Sequence, residues 1–249
     1  MLTQYRLALR TEKPSTPRPE WGYRLYASLL EEAPDCFGSN AHREAVTPLS
    51  QFLAVEKNDL IWTVNLLGKE SEQSLSFLLD RQEHLYLQKD RVDLRVTARQ
   101  RETVRDVDEL FFRAARQSSC HLLQFRTATA FKSRGQYLNL PSSRLIIQGL
   151  IKKWNGCFPE CPIEDEDGQG MDAIAAGLRC KRFKLSDRIY YLKGNSIPGF
   201  VGELVLENRL TGFHKELADA LLLFSGYSGI GIKTALGMGG VRHGFITQR

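Results

Sequence analysis

Apolar and polar residues alternate through residues 4 to 11 (QYRLALRT), the two-residue period of a half-buried strand, and Pro14, Pro17 and Pro19 then break the chain. Trp21, Leu25 and Leu29 follow at helical spacing with Leu30 alongside, and Pro34 supplies the stop. Two strands are predicted next, near Ser50 to Val55 and Leu60 to Leu67, separated by the polar turn Glu56-Lys57-Asn58-Asp59. Helical spacing returns from Glu70, with Leu75, Leu78 and Leu79 on one face, before His84 to Gln88 alternates again as a strand. A further alternating stretch (Val92, Leu94, Val96) and a short helix around Val107, Leu110, Phe111 and Ala114 lead to a boundary near Gln117 to Cys120.

The remainder repeats the order. A strand is expected at His121 to Phe131, then a helix launched from Pro141 and Ser142 with Leu145, Ile146, Leu150 and Trp154 on its apolar side. Strands around Cys180 to Leu185 and Val201 to Leu206 precede a second helix with Phe213, Leu217, Leu221 and Phe224 on its apolar face, ending near Phe224. A last strand runs from Val241 to Ile246. Strand-helix-strand-strand-helix-strand, twice over, predicts an α+β fold. It consists of two tandem ferredoxin-like (RRM-like) units with antiparallel sheets and helices packed on one face, divided as 1–118 and 119–249. Gly156 to Gly170 (GCFPECPIEDEDGQG) has no periodicity and reads as a loop or disordered insert. Its four consecutive acidic residues, Glu164 to Asp167, suit a solvated surface better than a preorganised cation site.

Composition narrows the function. The 249 residues are 42% hydrophobic, enough for a packed core. No apolar run approaches the roughly 20 residues of a spanning helix, and the N-terminus MLTQYRLALRTEK lacks an export pattern, so a cytoplasmic location and no membrane partner are expected. A formal charge of +5 and a pI near 9.0 agree with a polyanionic partner without requiring one. Five scattered cysteines argue against a disulfide framework. Cys157 and Cys161 lack a second ligand pair for zinc, so no metal is assigned.

Candidate chemistry concentrates in GYSGIGIKTALGMGGV, residues 226–241. Gly226, Gly229, Gly231, Gly237, Gly239 and Gly240 permit positive φ and leave main-chain amides uncovered for phosphate oxygens, while Lys233 adds a cation. A tight structural connection would explain two such glycines but not this density. A dinucleotide fingerprint or P-loop needs its glycines between a strand and a helix. Here the predicted order is helix, loop, strand, which leaves RNA backbone binding.

This segment resembles the C-terminal glycine-rich loop of the CRISPR-associated repeat-processing endoribonucleases, and its place before the last strand of a second ferredoxin-like unit agrees. Residues 125–137 (FRTATAFKSRGQY), which contain Lys132, together with Leu140-Pro141, the helix ending at Lys152, Lys153, Trp154 and Asn155, and Pro198 to Glu203, are similar to the family's central segments. The resemblance implies cleavage of precursor CRISPR RNA within its repeats, giving guide RNAs for antiviral defence, by attack of a ribose 2′-hydroxyl on the adjacent phosphate. A 2′,3′-cyclic phosphate and a 5′-hydroxyl result, without metal or cofactor. Implied partners are CRISPR repeat RNA, with interference-complex subunits and a second copy of the chain as further candidates.

Such a reaction needs a base for the 2′-hydroxyl, an acid for the leaving oxygen, and donors for charge growing on the phosphate. Histidine suits either proton role near neutral pH. By the resemblance His42, between the first helix and the second strand, is the catalytic candidate. His84, His121 and His214 fall within predicted elements and suit packing or solvated roles, and His243 belongs to the closing strand. In one version of the family site a first-helix tyrosine and a lysine after the histidine complete a triad. Here Ala27 occupies the tyrosine's place, with Tyr26 beside it and Tyr23 one turn earlier, and Pro48 stands near the lysine's place, leaving Arg43 or Lys57 to supply charge. Arg91, Arg95 and Arg99 share strand parity and form a candidate phosphate track. Two other readings stand beside cleavage: a non-catalytic RNA-binding subunit of the same fold, and a phosphometabolite-binding enzyme resting on the glycines alone.

Overall fold

A computed structural model describes residues 1–11, 17–18, 20–34, 47–116 and 118–246. The first lobe carries β1 (Leu2–Thr11), α1 (Trp21–Glu32), β2 (Leu49–Glu56), β3 (Asp59–Leu67), α2 (Lys69–Arg81), β4 (His84–Leu87) and β5 (Val92–Val104). After α3 (Val107–Ala115), the second carries β6 (Cys120–Thr129), β7 (Phe131–Ser133), β8 (Gln136–Leu138), α4 (Ser143–Cys157), α5 (Gln169–Gly177), β9 (Leu178–Leu192), β10 (Asn195–Asn208), α6 (Gly212–Ser228) and β11 (Val241–Phe245).

The first sheet runs β2-β3-β1-β5-β4 and the second β11-β6-β10-β9, so each contains the antiparallel ferredoxin-like arrangement. Alternation along β1 places Tyr5, Leu7 and Leu9 on one face, where they join Trp62, Val64 and Leu66 of β3 beneath Leu25 and Leu29 of α1 and Leu75 and Leu79 of α2. The second core gathers Leu123 and Phe125 of β6, Ile146, Leu150 and Trp154 of α4, and Leu217, Leu221 and Phe224 of α6. Leu2, Leu67, Val104 and Leu110 also belong to this second core, and α3 packs on α6.

Four local expectations need correction. The strand that closes the first unit beside β1 is β5, not the His84 segment. The turn after Leu87 sends the chain straight back, so β4 can only pair on the outer side of β5. The strand beginning at His121 ends at Thr129, and Phe131 starts the separate β7–β8 hairpin. Phe213 is 66% exposed in the first turn of α6, ahead of the buried stripe. Finally, the Gly156–Gly170 stretch is neither featureless nor loose. Asn155 exchanges side-chain hydrogen bonds with the Ile163 backbone (3.0 and 2.8 Å), and Trp154 Nε1 donates to Cys161 O (2.9 Å). The Asp165 carboxylate accepts from Gly170 and Met171 N–H (3.0 and 2.8 Å), which starts the unforeseen helix α5.

Candidate functional site

The segment between α6 and β11 is held where the two lobes meet. Gln51 Nε2 on β2 donates to Gly22 O of α1 (2.9 Å) and to Ala235 O of the loop (3.0 Å), while Trp62 Nε1 donates to Gln51 Oε1 (2.9 Å). From the other lobe, Tyr190 Oη donates to Leu236 O (2.6 Å). One buried amide therefore fixes α1, β2 and the loop together, and leaving it unpaired would be costly.

Close packing explains most of the glycines. A Cβ on Gly239 (φ 63°) would lie 2.0 Å from Ile230 O, one on Gly231 (φ 84°) 2.3 Å from Ala130 O, and one on Gly237 (φ 97°) 2.7 Å from Tyr190 Oη. One on Gly229 would meet Gly239 O at 2.8 Å, and one on Gly240 the Phe52 ring at 2.3 Å. Gly226 is not in the loop at all but in the last turn of α6, which runs on to Ser228. The loop's amides are also largely used within the protein. Ile230 N–H donates to Gly239 O, Ile232 N–H to Ala130 O, Gly239 N–H to Ala128 O and Gly240 N–H to Thr127 Oγ1, each at 2.9 Å. Among the described residues no acceptor faces the N–H groups of Gly231, Lys233 or Thr234. The outward donors thus come from one short arc, with Lys233 in the left-handed region (φ 56°) at its apex.

That arc borders a cleft of about 660 Å³ lined by Tyr26 of α1, Thr47 ahead of β2, Lys132 of β7, Gln148, Lys152 and Lys153 of α4, and residues 231–236. Its described lining includes four lysines and no carboxylate, which suits a polyanion. Lys132, Lys152 and Lys233 are exposed. Lys153 is half-buried, and its Nζ donates to Ser228 O (3.0 Å) and Gly229 O (2.9 Å) at the C-terminal end of α6. Burial pushes its ammonium down to about 7. Tyr26 is 7% exposed, and burial, reinforced by Tyr23, raises its phenol, so it meets the cleft as a protonated donor at neutral pH.

The sequence candidates separate on this geometry. Tyr26, Lys132, Gly231 and Lys233 line one cleft. Lys57 does not reach it. It sits at the tip of the β2–β3 hairpin (φ 53°), at the far end of β2 from Thr47 and about 25 Å away at strand rise. The arginine track is broken: β1 pairs Leu9 with Val96 but Ala8 with Ala98, and the bulge between them reverses the parity that placed Arg95 and Arg99 together. Arg99 instead donates to Gln82 O at the end of α2 (2.5 Å), and Arg91 (φ 53°) lies in the turn before β5. His42 and Arg43 lie outside the described residues. Thr47, the first described residue after them, is part of the cleft wall. Sequence reasoning missed Lys152 and Lys153 as site residues; their signal was a lysine pair closing a helix within a segment already singled out.

Residues 123–241 match the model of the family described as CRISPR-associated endoribonuclease Cas6. A protein of that description from Streptococcus thermophilus is 26% identical over 230 residues, covering 91% of this chain and 92% of its own length. One from Mycobacterium tuberculosis is 26% identical over 226 residues, covering 89% and 71%. Among solved structures, a Cas6 product complex superposes with a TM-score of 0.78 at 22% identity, over 98% of this chain and 100% of the other. Thermus thermophilus Cas6 superposes with 0.69 at 21% identity, over 98% of each. Fold and cleft together define a tandem ferredoxin-like protein with a lysine-lined groove between its lobes. The chain is similar over most of its length to proteins described as CRISPR-associated endoribonuclease Cas6, and its second lobe matches the model of that family.

Proposed function

We propose that this protein cleaves precursor CRISPR RNA within its repeats, by 2′-hydroxyl attack that leaves a 2′,3′-cyclic phosphate and a 5′-hydroxyl. The observation that carries this reading is the cleft where four lysines, the unpaired amides of Gly231, Lys233 and Thr234 and the phenol of Tyr26 converge, with no carboxylate among its described lining residues. The amides and the exposed ammonium groups of Lys132, Lys152 and Lys233 serve the charge that grows on the phosphate oxygens. His42 takes the 2′-hydroxyl proton, and Tyr26 donates a hydrogen bond to the reacting phosphate. Lys132 and Lys233 hold the flanking backbone. Other interference-complex subunits or a second copy of the chain are candidate partners once the cut RNA is held.

His42→Ala protein is expected to bind repeat RNA as the parent does in a gel shift but to cut it at least about tenfold more slowly in single turnover. Unchanged cutting would remove His42 from the mechanism. Binding with no product from the parent protein would favour a non-catalytic RNA-binding subunit instead.

A further inference from the structure

The cleft holds a proton donor that the reading above leaves without a task. Lys153 reaches the cleft wall from α4, and two of its three N–H directions are taken by Ser228 O and Gly229 O. An ammonium has three donors and no acceptor, so with two spent on fixed carbonyls the third remains for the cleft. The same two bonds tie Nζ to the start of the loop that carries the unpaired amides of Gly231, Lys233 and Thr234. Its neighbours Lys132, Lys152 and Lys233 are exposed and therefore suited to holding phosphates.

We propose that Lys153 is the general acid of the cleavage step, protonating the 5′-oxygen of the leaving ribonucleotide. This rests on the endoribonuclease reading. In the step the 2′-oxygen forms a bond to phosphorus, its proton going to the base, while the bond from phosphorus to the 5′-oxygen breaks. The departing oxygen takes a proton from the Lys153 ammonium, leaving a neutral amine, a 5′-hydroxyl and the cyclic phosphate. Water restores the proton to the amine and removes the one held by the base. Burial that brings the ammonium to about 7 suits the task, because an acid works best when its pKa lies near the working pH. An ordinary surface lysine would hold its proton too tightly.

The test compares two repeat RNAs in single turnover, one natural and one with sulfur replacing the 5′-bridging oxygen at the scissile linkage. A thiolate leaves without needing a proton. Lys153→Met is expected to slow the natural RNA by roughly 100-fold or more, and to cut the sulfur RNA within about threefold of the parent. Lys153→Arg, which keeps the charge and donors but cannot release its proton at this pH, covers the case in which the methionine protein misfolds. It should show the same pattern. The parent's rate on the natural RNA should fall as pH rises through the lysine's ionisation, and that limb should vanish with the sulfur RNA. Equal slowing on both RNAs, or no slowing on the natural one, would overturn the role and leave the nuclease reading standing. Failure of the parent protein to cut either RNA would overturn both.

Discussion

Two clusters of ionisable groups sit near the C-terminal elements, and they differ in where their hydrogen bonds end. In the first, beneath the second sheet, Asp219 Oδ1 accepts from His121 Nε2 (2.9 Å) and Asn208 Nδ2 (2.5 Å), and Oδ2 accepts from Lys215 Nζ (2.6 Å). With Nε2–H given to the carboxylate, His121 Nδ1 is left to accept from His243 Nε2 at 3.0 Å. An aspartate and two histidines in line resemble catalytic machinery, yet the aspartate and the central histidine are consumed internally. In the cleft, by contrast, Lys132, Lys152 and Lys233 are exposed and the amides of Gly231, Lys233 and Thr234 meet no acceptor among the described residues, with no carboxylate among the described residues lining it. Residue type does not separate the two clusters; the destination of the donors does.

The sharpest way to break this contrast is to cut the closed chain. Asp219→Ala leaves buried His121 and the half-buried Lys215 without their carboxylate acceptor and takes from buried Asn208 one of its two, and is expected to lower unfolding free energy by about 3–5 kcal/mol in urea titration. The cleavage rate per folded molecule should stay within about twofold. A fully stable variant, or a folded one that no longer cuts, would refute the structural assignment.

A smaller effect should appear with pH. Burial, with His121 adding to it, pushes His243 down to about 3. An unfolded histidine ionises near ~6.5, so between these values only the unfolded chain takes the proton. Stability is therefore full above the unfolded value and falls as pH drops, by roughly 2 kcal/mol at pH 5. The lowered carboxyl of Asp219 extends the loss below the ordinary carboxylate range. His243→Gln, which keeps a donor for His121, should flatten the decline between pH 7 and 5 in thermal melts; an unchanged slope would mean that the imidazole is not held neutral.

Smallest in free energy, but most diagnostic for the open cluster, are its lysines. Lys132→Ala, Lys152→Ala and Lys233→Ala should leave melting unchanged while each reduces the dependence of RNA affinity on log salt by about 0.7–0.9. Lys57→Ala, at the distant hairpin tip, should not change that slope. Equal slopes for all four would dissolve the distinction between cleft and surface.

The sequence carried the fold further than the site. Period-two and helical spacing marked most of the strands and helices that pack on a core, because burial is what imposes the period. Helix α5 escaped, since its start depends on Asp165 reaching the Gly170 and Met171 amides, a feature with no apolar period. The arginine track failed for a related reason: one bulge between Val96 and Ala98 inverts every later side chain, and a bulge leaves no mark in alternation. The glycines were legible as a loop, but their tight packing was not: at five of the six sites, Gly229, Gly231, Gly237, Gly239 and Gly240, a Cβ would collide with a neighbour. Lys153 could not be distinguished from Lys152 in sequence, since only the end of α6 makes one of them half-buried.

The proposed reaction in this cleft is a transesterification that needs no metal ion. Incubating the protein with the host's own repeat RNA in excess EDTA, followed by end-group analysis, tests it most directly. One cut per repeat is expected, with a 2′,3′-cyclic phosphate upstream and a 5′-hydroxyl downstream. No cutting until magnesium is restored, or a 5′-phosphate on the downstream product, would contradict it.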